Sequence, residues 1–227
     1  MPSIAVIGLG RFGMELAKQL GECGVDVIAI DRSKNLVDDI KDHVSVAVKL
    51  DSTDETALRS QNIDNVDVCV VAIGENFEAA LLTTVIVKKM DVPRVICRAQ
   101  TQFHADIFKR IGASEVIQPE QQTGKNLARK LANPQIQDFI QLAEGFTLIE
   151  LQAPVAFQNK SLEELQLRVT YFVNLVAIKR LVPVPGDEGE EKTREIVSVP
   201  KSDDVIQPND VLVLVGSDEA LARMPRE

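Results

Sequence analysis

The chain has 227 residues, of which 45% are hydrophobic and 26% charged, and its mean hydropathy is close to zero. These proportions are typical of folded domains and exclude a disordered or fibrous chain. The formal net charge of −9 argues against a binder of duplex nucleic acid, which needs clustered Lys and Arg, and the single Tyr and absent Trp leave few platforms for stacking bases. We therefore expect no nucleic acid among the partners.

The sequence carries no signal for membrane insertion or secretion. Its longest apolar run, residues 68–73, is far shorter than the roughly 20 residues that span a bilayer. Glycines interrupt the apolar stretch near the first residue, so no secretory signal is expected. Cys23, Cys69 and Cys97 are far apart and have apolar neighbours, which favours buried, reduced thiols over a disulfide framework or a zinc site. These features predict a cytoplasmic protein.

The first 118 residues alternate between short β-branched runs and segments with apolar residues three or four positions apart. Strands that are apolar nearly throughout, alternating with amphipathic helices, predict a parallel sheet covered on both faces. Right-handed crossovers then give an α/β fold with a doubly wound, Rossmann-like sheet. The predicted strands are residues 3–7, 25–30, 44–50, 66–73, 94–97 and 115–117, and the predicted helices are residues 12–20, 36–40, 55–60, 77–90 and 105–111.

The pattern changes after these elements. Pro119 marks the start of a helix over about residues 120–132, and a short linker helix is expected at 135–144. From residue 145 onward, strand alternation predicts a small α+β domain with an exposed acidic loop at 183–192. The predicted organisation is a nucleotide-binding domain at 1–134, the linker at 135–144 and a second domain at 145–227.

A glycine-rich motif, Gly8-Leu9-Gly10-Arg11-Phe12-Gly13, follows the first strand and opens a helix. In this context the first glycine permits a tight turn, the second allows close approach of a phosphate and the third allows close packing of helix and strand. The helix N-terminus supplies free N–H groups and a positive dipole end. Asp31 ends the second strand, where a carboxylate binds the ribose hydroxyls of an adenine nucleotide. An adenine nucleotide is therefore expected here.

The sequence leaves the identity of that nucleotide open. Arg11 projects from the phosphate loop and favours ATP or ADP over NAD, although a solvated surface arginine is the alternative. Arg32 is placed to accommodate a 2′-phosphate, but Asp31 would repel that group, which argues against NADP.

Further candidates follow the ends of the other strands, where this fold binds ligands. Asp51 and Ser52 are expected at the adenine or ribose edge, although capping the next helix is nearly as plausible for them. Arg98 is expected to pair with phosphate or with Asp51, and Glu120 to hold a cation such as Mg²⁺ on the phosphates. The segment after the fourth strand adds Ile73, Gly74, Glu75 and Asn76.

The chain offers few groups for catalysis. A dehydrogenase needs an acid–base residue in its substrate domain, yet residues 135–227 contain neither His nor Cys. The bound nucleotide is therefore expected to be an effector, and the alternatives are an NAD(H)-binding redox sensor or a small NAD-dependent oxidoreductase.

The strings IAVIGLGRFGMELAKQL, LDSTD, AIGENFEAALLTT, ICRA and VIQPE in the first domain resemble the KTN or RCK N-terminal domain. The strings NKSL, VNLVAIKR and PNDVLVLVG in the second domain resemble the TrkA-C domain. The resemblance covers nearly the whole chain and indicates the family of cytosolic regulatory subunits of Ktr- or Trk-type potassium uptake systems. One departure is Leu50, where many members carry Gly before the acidic residue.

The resemblance implies a homo-oligomer in which dimers form an octameric gating ring on the cytoplasmic face of a membrane potassium channel subunit. It implies switching by ATP and ADP, or by NAD(H), with Glu120 binding a cation shared across a dimer. It also implies that cyclic di-AMP binds the second domain in some members, and the nearest candidate residues here are Asn174, Leu175, Ile178 and Arg180.

Overall fold

The structure, a computed structural model, describes residues 2–132, 136–185 and 191–225. The chain divides into two compact units, Met1–Gly124 and Lys125–Glu227. The division falls within the helix that follows the sixth strand, ahead of the boundary at 134 that the sequence predicts.

The first unit is a six-stranded parallel sheet with helices between successive strands, as the sequence predicts. The strand order is β3-β2-β1-β4-β5-β6, so the direction of winding reverses between β1 and β4. The strands are β1 (Ser3–Ile7), β2 (Asp26–Asp31), β3 (Val46–Lys49), β4 (Val68–Val71), β5 (Arg94–Arg98) and β6 (Glu115–Ile117). The helices are α1 (Arg11–Glu22), α2 (Lys34–Ile40), α3 (Glu55–Ser60), α4 (Phe77–Lys89), α5 (Gln102–Arg110) and α6 (Pro119–Ala132).

Local sequence signals set the ends of these helices. The Asp54 side chain accepts hydrogen bonds from two N–H groups in the first turn of α3, and Thr101 caps α5 in the same way. Gly112 follows α5 with a φ of +92°, a left-handed conformation that glycine adopts without strain. Each of these residues thus marks a helix boundary that the sequence itself specifies.

Apolar residues on the two faces of the sheet form two separate clusters. One lies between the sheet and α3, α4 and α5 and includes Ile7, Leu58 and Phe108; the other lies against α1 and α2 and includes Val6, Leu9 and Ile40. Burial of both faces explains why the strands are apolar nearly throughout. Cys69 and Cys97 belong to the first cluster, but Cys23 is exposed, so the prediction of three buried thiols was wrong for Cys23, which ends α1.

The second unit contains a five-stranded antiparallel sheet in the order β10-β9-β11-β8-β7. Its helices are short and pack on one face of the sheet around a cluster that includes Phe157, Leu212 and Leu214. The strands are β7 (Ile136–Ala143), β8 (Phe146–Gln152), β9 (Asn174–Pro185), β10 (Glu191–Ser198) and β11 (Val211–Ser217), and the helices are α7 (Leu162–Leu165), α8 (Leu167–Thr170) and α9 (Asp218–Ala222).

The expected linker helix at 135–144 was wrong, because Ile136–Ala143 forms β7; residue 135 lies outside the described residues. Strand β7 pairs antiparallel with β8, and the register shifts between Ile136 and Asp138 and again between Gln141 and Ala143. Such irregularities move successive side chains to the other face, so the apolar residues of β7 do not alternate strictly. Ile136, Phe139 and Ile140 therefore have the spacing of a helix within a strand.

The expected acidic loop at 183–192 was also partly wrong. Its two ends belong to β9 and β10, which pair from Ile178 and Ser198 out to Pro185 and Glu191. The tip, residues 186–190, lies outside the described residues. Within the parts of the chain that the structure describes, no helix has the length and apolar character needed to cross a bilayer.

Candidate functional site

A cleft of about 820 Å³ opens at the carboxyl ends of the parallel strands in the first unit. It lies where the winding of the sheet reverses between β1 and β4, the usual ligand position in this architecture. Every nucleotide-binding residue that the sequence predicts lines it, except Gly13. The volume is in the range of pockets that bind small molecules and cofactors.

The three motif glycines have three different roles. Gly8 has a φ of +98°, and a Cβ there would lie 2.8 Å from the backbone N of Ile73. Gly13 packs against the turn, because its Cβ would lie 1.9 Å from the carbonyl oxygen of Gly8. A Cβ on Gly10, in contrast, would meet no described atom within 4 Å. Gly10 therefore keeps the cleft open, whereas Gly8 and Gly13 allow the turn to form.

The N-terminus of α1 faces this turn without a capping side chain. Among the described residues no side chain accepts a hydrogen bond from its first turn, and that turn contains no acidic residue. The N–H groups at such an end are free and carry a positive partial charge, which suits an anion. Arg11 adds an exposed charge at the cleft, while the half-buried Phe12 also lines the cleft and packs against the second core cluster.

The carboxylate of Asp31 ties the end of β2 to the glycine turn. One oxygen accepts from the Leu9 N–H at 2.7 Å, and the other accepts from the Ser33 N–H at 2.7 Å. Each carboxylate oxygen can accept two hydrogen bonds, so Asp31 retains acceptor capacity toward the cleft. The neighbouring Arg32 is exposed at the cleft wall.

Asp51 and Ser52 both line the cleft after β3, but their side chains have different hydrogen-bond partners. The backbone N–H and the hydroxyl of Thr53 both donate to one oxygen of Asp51 and hold the pKa of its carboxyl below the ordinary value, with a smaller effect from Arg32. Ser52 is buried, and its hydroxyl lies 2.7 Å from that of Thr83 on α4. Asp51 is thus free to accept from a ligand, whereas Ser52 anchors the loop to α4.

The segment after β4 closes the other side of the cleft. Ile73 packs against Gly8 and the first core cluster, and Asn76 caps α4 by accepting from the Ala79 N–H at 2.9 Å. Gly74 lies under the guanidinium of Arg98, since a Cβ on Gly74 would come within 1.8 Å of Arg98 Nη1. Glu75 also lines the cleft.

Arg98, at the end of β5, forms an ion pair with Glu120 in the first turn of α6. The expected pairing of Arg98 with Asp51 was wrong, because β2, β1 and β4 separate the strands that carry them. The N–H of Glu120 itself, and then the Arg98 guanidinium, hold the pKa of the Glu120 carboxyl below its ordinary value.

The cation proposed for Glu120 would need ligands from elsewhere. Within the described ranges, no group of three or more His, Cys, Asp or Glu side chains is arranged to hold a metal ion. A metal at Glu120 would therefore have to be completed by phosphate oxygens or by another chain.

Several lining residues escaped the sequence analysis. All of them except Leu82 lie within four residues of a predicted site residue, so the position of the strand ends was the only available signal. These residues are Ser33, Leu36, Thr53, Glu78, Ala79, Leu82 and Gln100.

The four candidates for cyclic di-AMP on β9 do not share an open surface. Ile178 is buried in the core of the second unit, and Leu175 packs against the same cluster. Arg180 donates to both oxygens of the fully buried Asp210, at 2.7 Å each. Only Asn174 of the four is exposed.

Helix α4 is apolar on most of its circumference and also presents apolar residues outward. Leu82 and Val85 are each 46% exposed in the single chain, while Ala80, Thr83, Thr84 and Val87 face the sheet. An exposed apolar helix face of this kind favours burial against another subunit, which stays a prediction.

Comparison with known proteins identifies the family. Residues 4–119 match the TrkA-N domain. The chain belongs to the TrkA-N family. It is also 35% identical over 222 residues to the Ktr system potassium uptake protein C of Bacillus subtilis, a match that spans 98% of this chain and 95% of the relative. The Ktr system potassium uptake protein A of Bacillus subtilis is 33% identical over the same share of both chains, and that of Vibrio alginolyticus is 30% identical over 96% and 94%.

Solved structures agree with the fold of this TrkA-N protein. The RCK domain of GsuK matches 97% of the chain with a TM-score of 0.56 at 23% identity, and the GsuK channel bound to NAD matches 98% with the same score at 24% identity. The chain spans less than half the length of these GsuK chains. An NAD(P)-binding domain of an exopolyphosphatase-related protein from Archaeoglobus fulgidus matches 58% of this chain and 98% of its own, at 26% identity and a TM-score of 0.51.

Proposed function

We propose that this chain is a regulatory subunit of a potassium uptake system and that ATP or ADP bound in the cleft sets its conformation. The observation that carries the proposal is the agreement, along nearly the whole chain, with three Ktr system potassium uptake proteins. The cleft supports the nucleotide-binding part of the proposal, because the glycine turn, the uncapped N-terminus of α1 and Asp31 all lie at the cleft.

The residues around the cleft fit an adenine nucleotide in one orientation, with its adenosine toward β2 and β3 and its phosphates toward α1. Asp31 and Asp51 would accept from the ribose and adenine at the β2 and β3 edge. The N–H groups of α1 would bind the first phosphate oxygens, with Gly10 leaving room for them. Arg11 would bind an outer phosphate, which favours ATP and ADP over the nicotinamide end of NAD.

Regulation by such a ligand requires unequal binding to two conformations. A nucleotide with equal affinity for both would shift neither, however tightly it bound. We therefore propose that ATP and ADP favour different shapes of a ring of dimers. That ring would dock on the inner face of the membrane through a potassium channel subunit. In this role the nucleotide is an effector and not a reactant.

A second candidate function is sensing of NAD(H). It is favoured by the 26% identity to the NAD(P)-binding domain of the Archaeoglobus fulgidus protein and by the spacing of the motif glycines. In that case the redox state, and not the phosphorylation state, of the ligand would set the conformation.

Potassium-limited growth tests the proposed function. Deleting the gene in the organism that encodes it should impair growth and potassium uptake at low external potassium. The intact gene should restore both, whereas Gly10→Ala should not, because its new methyl group occupies the space for the phosphate. Uptake that is unchanged by the deletion would contradict the proposal.

A further inference from the structure

Arg98 is held in an incompletely satisfied environment. Its side chain is 15% exposed, and its guanidinium carries five N–H donors. One nitrogen, Nη2, donates to Glu120, while Nε is buried and finds no hydrogen-bond partner among the described residues. Buried donors without an acceptor are rare and costly. The guanidinium can therefore take further acceptors more readily than a fully bonded one can.

Glu120, in contrast, is held loosely. Its side chain is 63% exposed, so water can replace Arg98 as its partner at little cost. The two partners thus differ: Arg98 needs a negative charge beside it, but Glu120 does not need Arg98.

The Arg98 guanidinium lies on the side of the cleft toward which the outer phosphates of a nucleotide would extend. It lies over Gly74, in the segment after β4, the strand next to β1. Neighbouring strands are about 4.8 Å apart, so the guanidinium is displaced from the glycine turn toward β5. That direction leads away from Asp31, at the end of β2. A ligand with its ribose at Asp31 would extend its second and third phosphates toward Arg98.

We propose that Glu120 competes with the outer phosphates of a nucleotide for the Arg98 guanidinium, and that this competition makes the cleft discriminate among ATP, ADP and AMP. The inference rests on the proposed function, because it requires a nucleotide in the cleft. When phosphate oxygens bind Arg98 and no cation is present, the Glu120 carboxylate is released to solvent. Glu120 thus lowers the affinity for nucleotides that reach Arg98 and leaves AMP unaffected.

The test is isothermal titration of ATP, ADP and AMP into the full chain in EDTA, which removes divalent cations. Glu120→Gln keeps an acceptor but removes the charge, and it should raise the affinity for ATP about three- to tenfold and that for AMP less than twofold. Glu120→Asp, with a shorter side chain, should give an intermediate increase. In an Arg98→Gln background the Glu120→Gln change should not alter the affinity for ATP, since the guanidinium for which Glu120 and the phosphates compete is absent.

Glu115→Gln is the matched control. Glu115, the first residue of β6, pairs at 2.7 Å with Arg94, which lies at the opposite end of β5 from Arg98 and does not line the cleft. The Glu115→Gln variant removes the same charge from the chain as Glu120→Gln does, and it should change the affinity for none of the three nucleotides by more than twofold.

Four results separate the possible failures. If the wild-type chain binds none of the nucleotides, the proposed function fails. If it binds them but Glu120→Gln does not raise ATP affinity, the competition alone is wrong. An equal gain in Glu115→Gln, or an equal gain for AMP, would also overturn it, because the effect would then come from net charge.

Discussion

The Asp31 carboxylate accepts a hydrogen bond from the Leu9 N–H at 2.7 Å and so joins the end of β2 to the glycine turn. The same side chain accepts from the Ser33 N–H through its other oxygen. The candidate ribose ligand therefore also holds the phosphate loop in shape. Under the proposed function, fold stability and nucleotide binding share this one side chain, and a substitution there should act on both.

Asp31→Asn should lower the free energy of unfolding by about 1–3 kcal/mol, because an amide offers one acceptor oxygen and leaves one of the two N–H groups unpaired. It should also weaken ATP and NAD binding, since both ligands contain an adenosine ribose. Urea unfolding and calorimetric titration measure the two effects. Asp26→Asn, exposed at the other end of β2, is the control. Equal behaviour of the two variants would contradict the role of Asp31.

Gly10→Ala and Gly13→Ala should separate binding from stability. At Gly13 the new Cβ would lie 1.9 Å from a backbone oxygen, so we expect a loss of roughly 3 kcal/mol or more of unfolding free energy. At Gly10 the Cβ meets no described atom within 4 Å, so Tm should stay within a few degrees of wild type. Calorimetry should nevertheless show that Gly10→Ala has lost ATP binding. Normal ATP affinity in Gly10→Ala would place the ligand elsewhere.

Arg11→Ala should weaken ATP binding more than AMP binding, because the proposed function places the exposed Arg11 guanidinium beside the outer phosphates. A partly exposed charged hydrogen bond contributes about 1 kcal/mol, which corresponds to about fivefold in the dissociation constant of ATP. The affinity for AMP should change less than twofold. Arg110→Ala, at the end of α5 and away from the cleft residues, controls for net charge. Equal losses for both nucleotides would remove Arg11 from this role.

Arg180→Ala should destabilise the second unit. It leaves the carboxylate of Asp210 buried without its counter-charge, and removal of one partner from such a pair costs roughly 3 kcal/mol. The exposed Arg194 on β10 offers the control variant Arg194→Ala. Circular dichroism during urea unfolding compares the two. If Arg180→Ala is as stable as wild type and only loses cyclic di-AMP binding, then Arg180 is a ligand residue and not a structural one.

Thiol labelling should detect one cysteine in the native chain. Cys23 is exposed, whereas burial raises the pKa of Cys97 to about 11 and raises the pKa of Cys69 even more strongly. Because the thiolate is the reactive form, the two buried thiols should stay unmodified at pH 8. A colorimetric thiol assay should therefore show one equivalent before urea and three after it. The variant Cys23→Ser should show none until it unfolds; rapid native labelling of that variant would contradict the buried assignment.

The sequence predicted the first unit well because local and global signals agree there. The strands of a doubly wound sheet are apolar on both faces, and caps such as Asp54 and Thr101 mark the helix starts. Since the carboxyl ends of parallel strands share one edge, the candidates after each strand were bound to meet at one cleft.

What escaped prediction depends on partners distant in sequence. Strand β7 resembles a helix because its register with β8 shifts, and nothing in residues 136–143 alone reveals this. The pairing of Arg98 with Glu120 instead of Asp51 follows from the strand order, which the sequence did not supply. The bidentate pairing of Arg180 with Asp210 likewise removes a residue that composition alone leaves available to a ligand.

Thermal unfolding of the purified chain with ATP, ADP, AMP, NAD and NADH, each with and without Mg²⁺, tests the central claim most directly. A ligand at about 100 times its dissociation constant adds roughly 2.7 kcal/mol and should raise Tm of a chain of this size by about 5–10 °C. The account predicts this rise for ATP and ADP, a smaller one for NADH, and none in Gly10→Ala. A larger shift with NADH would favour the redox sensor, and no shift with any ligand would show that the glycine turn only packs the fold.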